Sequence, residues 1–334
     1  MQGISPHFGV ASSSRGPQHT SSPRDARSRL RAAAFSAGRS HAVSNSHCSA
    51  GKRTRARARE REKLKTEYAP IDAGAFNAES PTTWINLGLW SGNEPVTGHG
   101  YASANRALAL AVLALLGDLP HNARLIDFGC GRGEFLRLLS SNREAVGVNV
   151  DASECAAARE RAPRAVVVNA DAVAYAESLP DELRGAFACC VDAAYHFNTR
   201  ARFVRAVRNA GVAALGMSDI CLSQAWEANA LPWWRAVCLA CISAVSGAPR
   251  ENLRVGPRGL RALVLSSGFA SCSVDVITDK VLEPFAAHSL ARARLLPWGS
   301  QWAVLWSSAW FMRLLARSGA VDVVLVRASS SSPS

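Results

Sequence analysis

Two acids and three glycines stand within eight residues, Asp127-Phe-Gly129-Cys-Gly131-Arg-Gly133-Glu134. The glycine spacing is G-x-G-x-G, one residue short of the G-x-G-x-x-G that cradles a dinucleotide pyrophosphate. A carboxylate just before the first glycine would also repel a pyrophosphate, which argues against a nicotinamide-dependent dehydrogenase. The pattern suits a ligand bearing both an amino and a carboxylate group. Asp127 would face the cation, and the first amides of a following helix, with their partial positive charge, would face the anion. Gly129 can supply a positive φ, and Gly131 lets a ligand approach the backbone closely. Further along, His196 follows an apolar run and Asp219 ends another. An imidazole beside a carboxylate can take a proton from a nucleophile, although a buried structural hydrogen bond would explain His196 equally well.

These residues need elements that bring them to one edge. Residues 102–117 are Ala- and Leu-rich and read as a helix closed by Gly117. Short apolar runs then alternate with helical patterns. "RLIDF" reads as a strand and Glu134 to Ser141 as a helix; "AVGVNV" as a strand and Ser153 to Ala162 as a helix capped by Ser153. "AVVVNA", "FACCVDA" and "VAALGMSD" read as strands three to five, with a helix over Arg200 to Asn209 before the fifth. "SCSVDVIT" and "AVDVVLVRA" supply two late strands. Strands joined by helix-length connections predict a parallel sheet with helices on both faces, ligands binding at the carboxyl edge. His196 and Asp219, on adjacent strands, would meet there.

The glycine turn resembles that of the class I S-adenosylmethionine-dependent methyltransferases. The resemblance implies a Rossmann-like, seven-stranded, mostly parallel sheet with helices on both faces and a helical cap inserted after the fifth strand. It implies S-adenosylmethionine as cofactor, with contacts from Asp127, Gly129, Gly131 and Gly133, from Asn149 and Val150 after the second strand, from Asp171 and Ala172 after the third, and from Asp192 after the fourth. The family places an acid on the ribose after the second strand; here that position is Asn149, with Asp151 two residues on. "ESPTTWINLGLW", "DAAYHFNTR" and "GAPRENL" resemble elements of methyltransferases for tocopherols, sterols, sugars and other small molecules. By that resemblance Trp84, Asn86 and Trp90 are candidates for a lid, with packing of an N-terminal segment as the plain alternative, and Tyr195 lies near the acceptor. His196 sits where related sugar and phosphobase enzymes carry a His, so His196 and Asp219 are the candidate base and its partner. The family's "LxPGG" turn before the fifth strand is missing from "VRNAGVAALGMSD".

Composition sets the remaining expectations. Residues 1–65 hold 14 Lys and Arg against three Asp and Glu, so most of the formal net charge of +12 belongs to this stretch. The stretch is Arg- and Ser-rich, poor in acids and without apolar periodicity, which predicts a disordered, transit-peptide-like leader and a plastid or mitochondrial location. Residues 66–328 form the expected methyltransferase domain, with a cap and substrate region over about 222–318, and 329–334 a disordered tail. Seven of the nine Trp residues lie beyond the fifth strand. Core and cap packing explains them, with an apolar substrate pocket or a peripheral membrane contact as the functional alternative. Cys238 and Cys241 form a lone C-x-x-C in an apolar run, and no metal site is expected. The expected activity is methyl transfer to a small, apolar acceptor, with no nucleic acid as partner. Two alternatives stay open: a cofactor-binding relative without turnover, and an RNA methyltransferase using the basic leader.

Overall fold

The computed structural model describes residues 73–228 and 233–331. The expected leader lies outside these residues. Seven strands form one sheet in the order β3-β2-β1-β4-β5-β7-β6: β1 Leu125–Phe128, β2 Ala145–Asn149, β3 Val166–Asn169, β4 Phe187–Val191, β5 Ala214–Leu222, β6 Ser271–Val276 and β7 Val321–Ser329. The first five are parallel, and β7 runs antiparallel between β5 and β6. All four residues of β1 and all nine of β5 are buried, as central strands covered on both faces require.

Helices cover both faces. Gly98–Ala114 begins earlier than its apolar run, because Thr97 caps it by accepting from the Gly100 amide. Glu134–Leu139, Ala152–Arg161, Ala172–Glu177 and Arg200–Asn209 follow β1 to β4 in turn. The second of these is capped by Asp151, which accepts from the Ser153 and Glu154 amides; Ser153 lies inside the helix rather than at its cap. Asp171 caps Ala172–Glu177 in the same way. Gly211, at φ 76°, turns the chain from Arg200–Asn209 into β5, so a single glycine closes the connection that lacks the family's turn.

Trp233–Ser246 and Pro257–Ser266 lie between β5 and β6, and Leu282–Ala293 and Ser300–Ser318 between β6 and β7. These helices fall in the stretch read as the cap, about 222–318. The last strand runs through Ser329, and the Ser330 amide donates to the Ala213 carbonyl, so the edge of the fold lies past residue 328.

Candidate functional site

The carboxyl ends of the parallel strands gather the residues that carry chemistry. Asp127 lies in β1, in register with Gly147 of β2 and Cys189 of β4. Its carboxylate is 2% exposed, and Oδ2 has no hydrogen-bond partner. Burial alone pushes its pKa up to about 7. A carboxyl in this state awaits a cation or a donor. The chain then turns at Gly129 (φ 82°), where a Cβ would stand 2.6 Å from the Ala193 Cβ. At Gly133 (φ 86°) a Cβ would stand 2.9 Å from Ala158 Cα, so only glycine lets the two following helices pack.

An N-terminal strap crosses this turn. The side chain of Ile85 would be 3.3 Å from a Cβ at Gly131. Glu134, buried in the first turn of its helix, accepts from the Thr83 amide at 2.8 Å and pairs with Arg161 at 3.1 Å. The Leu87 amide donates to Asp192 Oδ2 at 2.8 Å. The larger strap residues point elsewhere. Asn77 clasps the backbone of Trp84. Asn86 donates to the Asn105 carbonyl, and the Trp90 indole donates to the Leu87 carbonyl. Trp84, Asn86 and Trp90 are all buried and anchor the strap to the domain; Ile85 and the Leu87 amide are what meet the site.

The end of β2 differs from a simple substitution of an acid by an amide. Asn149 Oδ1 accepts from the Val150 amide, and Nδ2 donates to Glu154 Oε2 at 2.7 Å. A carboxylate thus reaches this edge from the next helix. The Val150 side chain is exposed. Asn169 ties β3 to β2 by donating to the carbonyls of Asn149 and Val150. After β3, Asp171 Oδ1 is held by the Ala174 amide, and the Ala172 side chain is buried in the core, which leaves its backbone for any ligand contact.

Asp192 follows β4 at φ 52°, an uncommon conformation for a non-glycine residue. Desolvation lifts its pKa to about 6, opposed by the Leu87 amide and the Tyr195 hydroxyl. Tyr195 and His196 lie in the short turn Ala194–His196, with ring centroids 4.1 Å apart. Desolvation lowers the imidazole to about 4, so it is neutral at physiological pH. Asn252, from "GAPRENL", fixes this turn: Nδ2 donates to the carbonyls of Tyr195 and Phe197, and Oδ1 accepts from the Arg200 amide.

Asp219 is not where the sequence puts it. β7 pairs with β5 from Ala214 through Leu222, so the strand continues three residues past Asp219. Its Oδ2 binds the Arg200 guanidinium at 2.7 Å, with side-chain exposures of 1% for Arg200 and 0% for Asp219. Its Oδ1 accepts from the Ile220 amide. Arg200 also donates to the carbonyls of Ile220 and Asn252. Burial pushes the Asp219 carboxyl up, and the guanidinium opposes it. The correction is to its role: the carboxylate is committed to a buried ion pair rather than to the His196 imidazole.

Residues 101–238 match the family model described as a methyltransferase domain. The matched stretch is under half of the chain. The fold of the chain is shared with geranyl diphosphate C-methyltransferase from Streptomyces coelicolor A3(2), at TM-score 0.59 and 13% identity over 81% of this chain and 98% of that one. It is shared with the cyclopropane synthase MmaA2 from Mycobacterium tuberculosis, at TM-score 0.59 and 16% identity over 80% and 98%. The [4+2]-cyclase SpnF matches at TM-score 0.56 and 17% identity over 81% and 95%. No curated protein matches the sequence at a significant level. The sheet order and the antiparallel β7 are the Rossmann-like arrangement that the resemblance implied. Two surface depressions of about 400 Å³, one beside Glu177 and Arg202 and one beside Gly117 and Arg143, lie away from this edge and hold none of the site residues.

Proposed function

We propose that this chain is a methyltransferase that moves a methyl group from S-adenosylmethionine to a small, apolar acceptor. The buried Asp127 carboxyl, whose Oδ2 has no partner beside a three-glycine turn, carries the reading. The residues present fit the cofactor. Asp127 would take the amino group, and Asp192 and the turn backbone would line the same edge. Asp171 and the Ala172 backbone would meet the adenine. Glu154, reaching the end of β2 through Asn149, supplies the carboxylate that the ribose hydroxyls need. Similar solved structures support the cofactor: the S. coelicolor geranyl diphosphate C-methyltransferase is complexed with Mg2+, geranyl-S-thiolodiphosphate and S-adenosyl-L-homocysteine.

When bound, the sulfonium supplies an activated methyl group. The chain's own work is to align the acceptor, exclude water and hold the acceptor's proton. The strap excludes water over the turn. His196 is the candidate base: its neutral imidazole is available to accept a proton above about pH 4. Asn252 and Arg200 act through it, by fixing the turn that carries it.

Titration calorimetry on the full chain should show one cofactor site, and labelled-methyl transfer should be seen with a lipid extract. Binding without transfer across a broad acceptor panel would favour the relative without turnover. Deleting residues 1–65 should leave transfer unchanged; loss of salt-dependent RNA affinity together with activity would favour the RNA enzyme. His196→Ala should slow transfer by about 10²-fold or more at saturating cofactor while cofactor affinity holds. The acid limb of the wild-type rate should lie near pH 4 to 5, below the usual histidine range. A limb near pH 6.5, or an unchanged rate in His196→Ala, would move the base elsewhere. Glu154→Gln should weaken cofactor binding by about tenfold, with the helix Ala152–Arg161 intact by circular dichroism. Unchanged affinity would count against its role.

A further inference from the structure

The described residues include twelve large apolar side chains that are exposed, and ten of them fall from Trp233 to Leu314, seven within the helices Trp233–Ser246 and Ser300–Ser318. The densest set lies along Ser300–Ser318 and the turn before it. Trp298, Trp302, Trp306 and Trp310 follow one another at four-residue intervals, which places them along one side of the helix. Their rings form a ladder, with centroids 4.8, 5.6 and 6.0 Å apart and the first two pairs nearly parallel. Trp298 is 87% exposed and Leu314 65%. The same helix buries Leu305, Ala309 and Leu315 in the domain. Trp302 is half-buried against the core while Trp306 and Trp310 stay 44% and 45% exposed, so the helix also carries apolar side chains on its solvent side.

The exposed charges around it are mainly basic. Between Glu283 and Asp322 the sequence has no acid and four arginines, Arg292, Arg294, Arg313 and Arg317. Arg313 lies over the Trp310 ring at 5.9 Å and pairs with Glu283 at 2.8 Å, Arg292 is buried, and Arg294 and Arg317 are exposed. Trp233–Ser246 repeats the composition. No acid stands between Glu227 and Glu251, Trp233, Trp234, Val237 and Val245 are exposed, and Arg235 stacks over the Trp226 and Trp234 rings at 4.7 and 5.2 Å.

We infer that the Trp298–Leu314 face binds the surface of an anionic lipid bilayer. Exposed indoles and leucines, with Arg294 and Arg317 exposed beside them, match a layer whose apolar boundary lies just beneath negative headgroups. Indole rings are suited to that depth because one end is apolar and the other is polar. A second copy of the chain is disfavoured by charge, since pairing this face with itself sets arginine against arginine. None of the described helices is long and apolar enough to cross a membrane, so the contact proposed is peripheral. The inference stands apart from methyl transfer, because it concerns a different surface and needs no cofactor.

The test is flotation of the full chain with vesicles of phosphatidylcholine alone and with phosphatidylserine added, at low salt and at about 1 M NaCl, where the Debye length falls to about 3 Å. High salt screens the basic residues 1–65 and leaves apolar insertion. The expected result is binding to the mixed vesicles that persists in part at high salt. A blue-shifted Trp emission quenched by brominated lipid should accompany it. The triple variant Trp298→Ser, Trp306→Ser, Trp310→Ser should lose at least about tenfold in partitioning at high salt. Arg294→Glu with Arg317→Glu, which leaves every Trp in place, should weaken partitioning into the anionic vesicles at low salt relative to wild type, residues 1–65 contributing equally to both. Equal partitioning of wild type and triple variant, or emission that brominated lipid does not quench, would overturn the inference. So would a concentration-dependent dimer in sedimentation that the triple variant abolishes, with no vesicle binding, since a second copy would then cover the face.

Discussion

Asp219→Ala is expected to destabilise the domain by about 3–5 kcal/mol, the cost of leaving the other half of a buried ion pair uncompensated. Arg200 is the residue left behind: it is 1% exposed, and besides Asp219 it binds only backbone carbonyls, those of Ile220 and Asn252. With the carboxylate gone, a full positive charge remains in the core with only dipoles around it. Urea unfolding followed by circular dichroism measures the loss as a lower midpoint at constant slope. Removing both charges, as in Arg200→Met with Asp219→Leu, should recover much of the loss, because apolar side chains of similar volume often replace a buried pair at little cost. A residual deficit is expected, since the Asn252 and Ile220 carbonyls lose their donor. The cycle also separates the two roles considered for Asp219. If it served His196, Asp219→Asn would shift the pH–rate profile while the protein stayed fully folded. The ion pair predicts instead a stability loss, with the profile of the remaining folded enzyme unchanged. A midpoint shift worth under about 1 kcal/mol would remove Asp219 from the structural core of the argument.

That residue also shows where sequence reading stops. The seven strands are legible because each is an apolar run between turn or helix signals, and the parallel class follows from their alternation with helices. The end of β5 is not. An acid in "SDICL" reads as the edge of a strand, but nine residues of β7 pair across it and Arg200 neutralises it, so the strand continues. The site divides the same way. Asp127 and its glycines act through chain neighbours, and their spacing carries the signal. Arg200, Asn252, Leu87 and Glu154 act through partners chosen by the fold: Leu87 meets Asp192 across 105 residues, and Asn252 meets Tyr195 across 57. No local pattern reports such a pairing. In the strap, the conspicuous side chains Trp84, Asn86 and Trp90 turned inward to satisfy burial, while plain Ile85 and a backbone amide were left facing the turn. Glu154 carried one usable signal, an acid in the first turn of the helix that follows an unexpected Asn149.

Asp127→Asn should weaken S-adenosylmethionine binding by about 10- to 100-fold, the range for losing a charge-assisted hydrogen bond in a buried setting. The pH dependence is the sharper measurement. Burial raises the carboxyl to about 7 from its ordinary value of 3.8, so the ligand-free domain holds a proton on Asp127 that the unfolded chain has released. For this group, stability is fully present below the unfolded value and is lost as pH rises through the folded one, so the ligand-free domain should lose stability between about pH 4 and 7. Cofactor binding runs the other way, because an ammonium pairs with the ionised form only. At pH 6 about one Asp127 in ten is ionised, and apparent affinity should be about tenfold below its plateau. The window closes on the alkaline side as the ligand's own amino group loses its proton near pH 7.7–8.0. Binding below pH 7 must therefore expel a proton, and calorimetry in buffers of differing ionisation enthalpy reads that release directly. Asp127→Asn should flatten the affinity profile over this range and abolish the buffer-dependent heat. A wild-type affinity that is level from pH 6 to 7, with no proton released, would mean that the orphaned oxygen at the end of β1 meets no cation, and the cofactor reading would lose the observation that carries it.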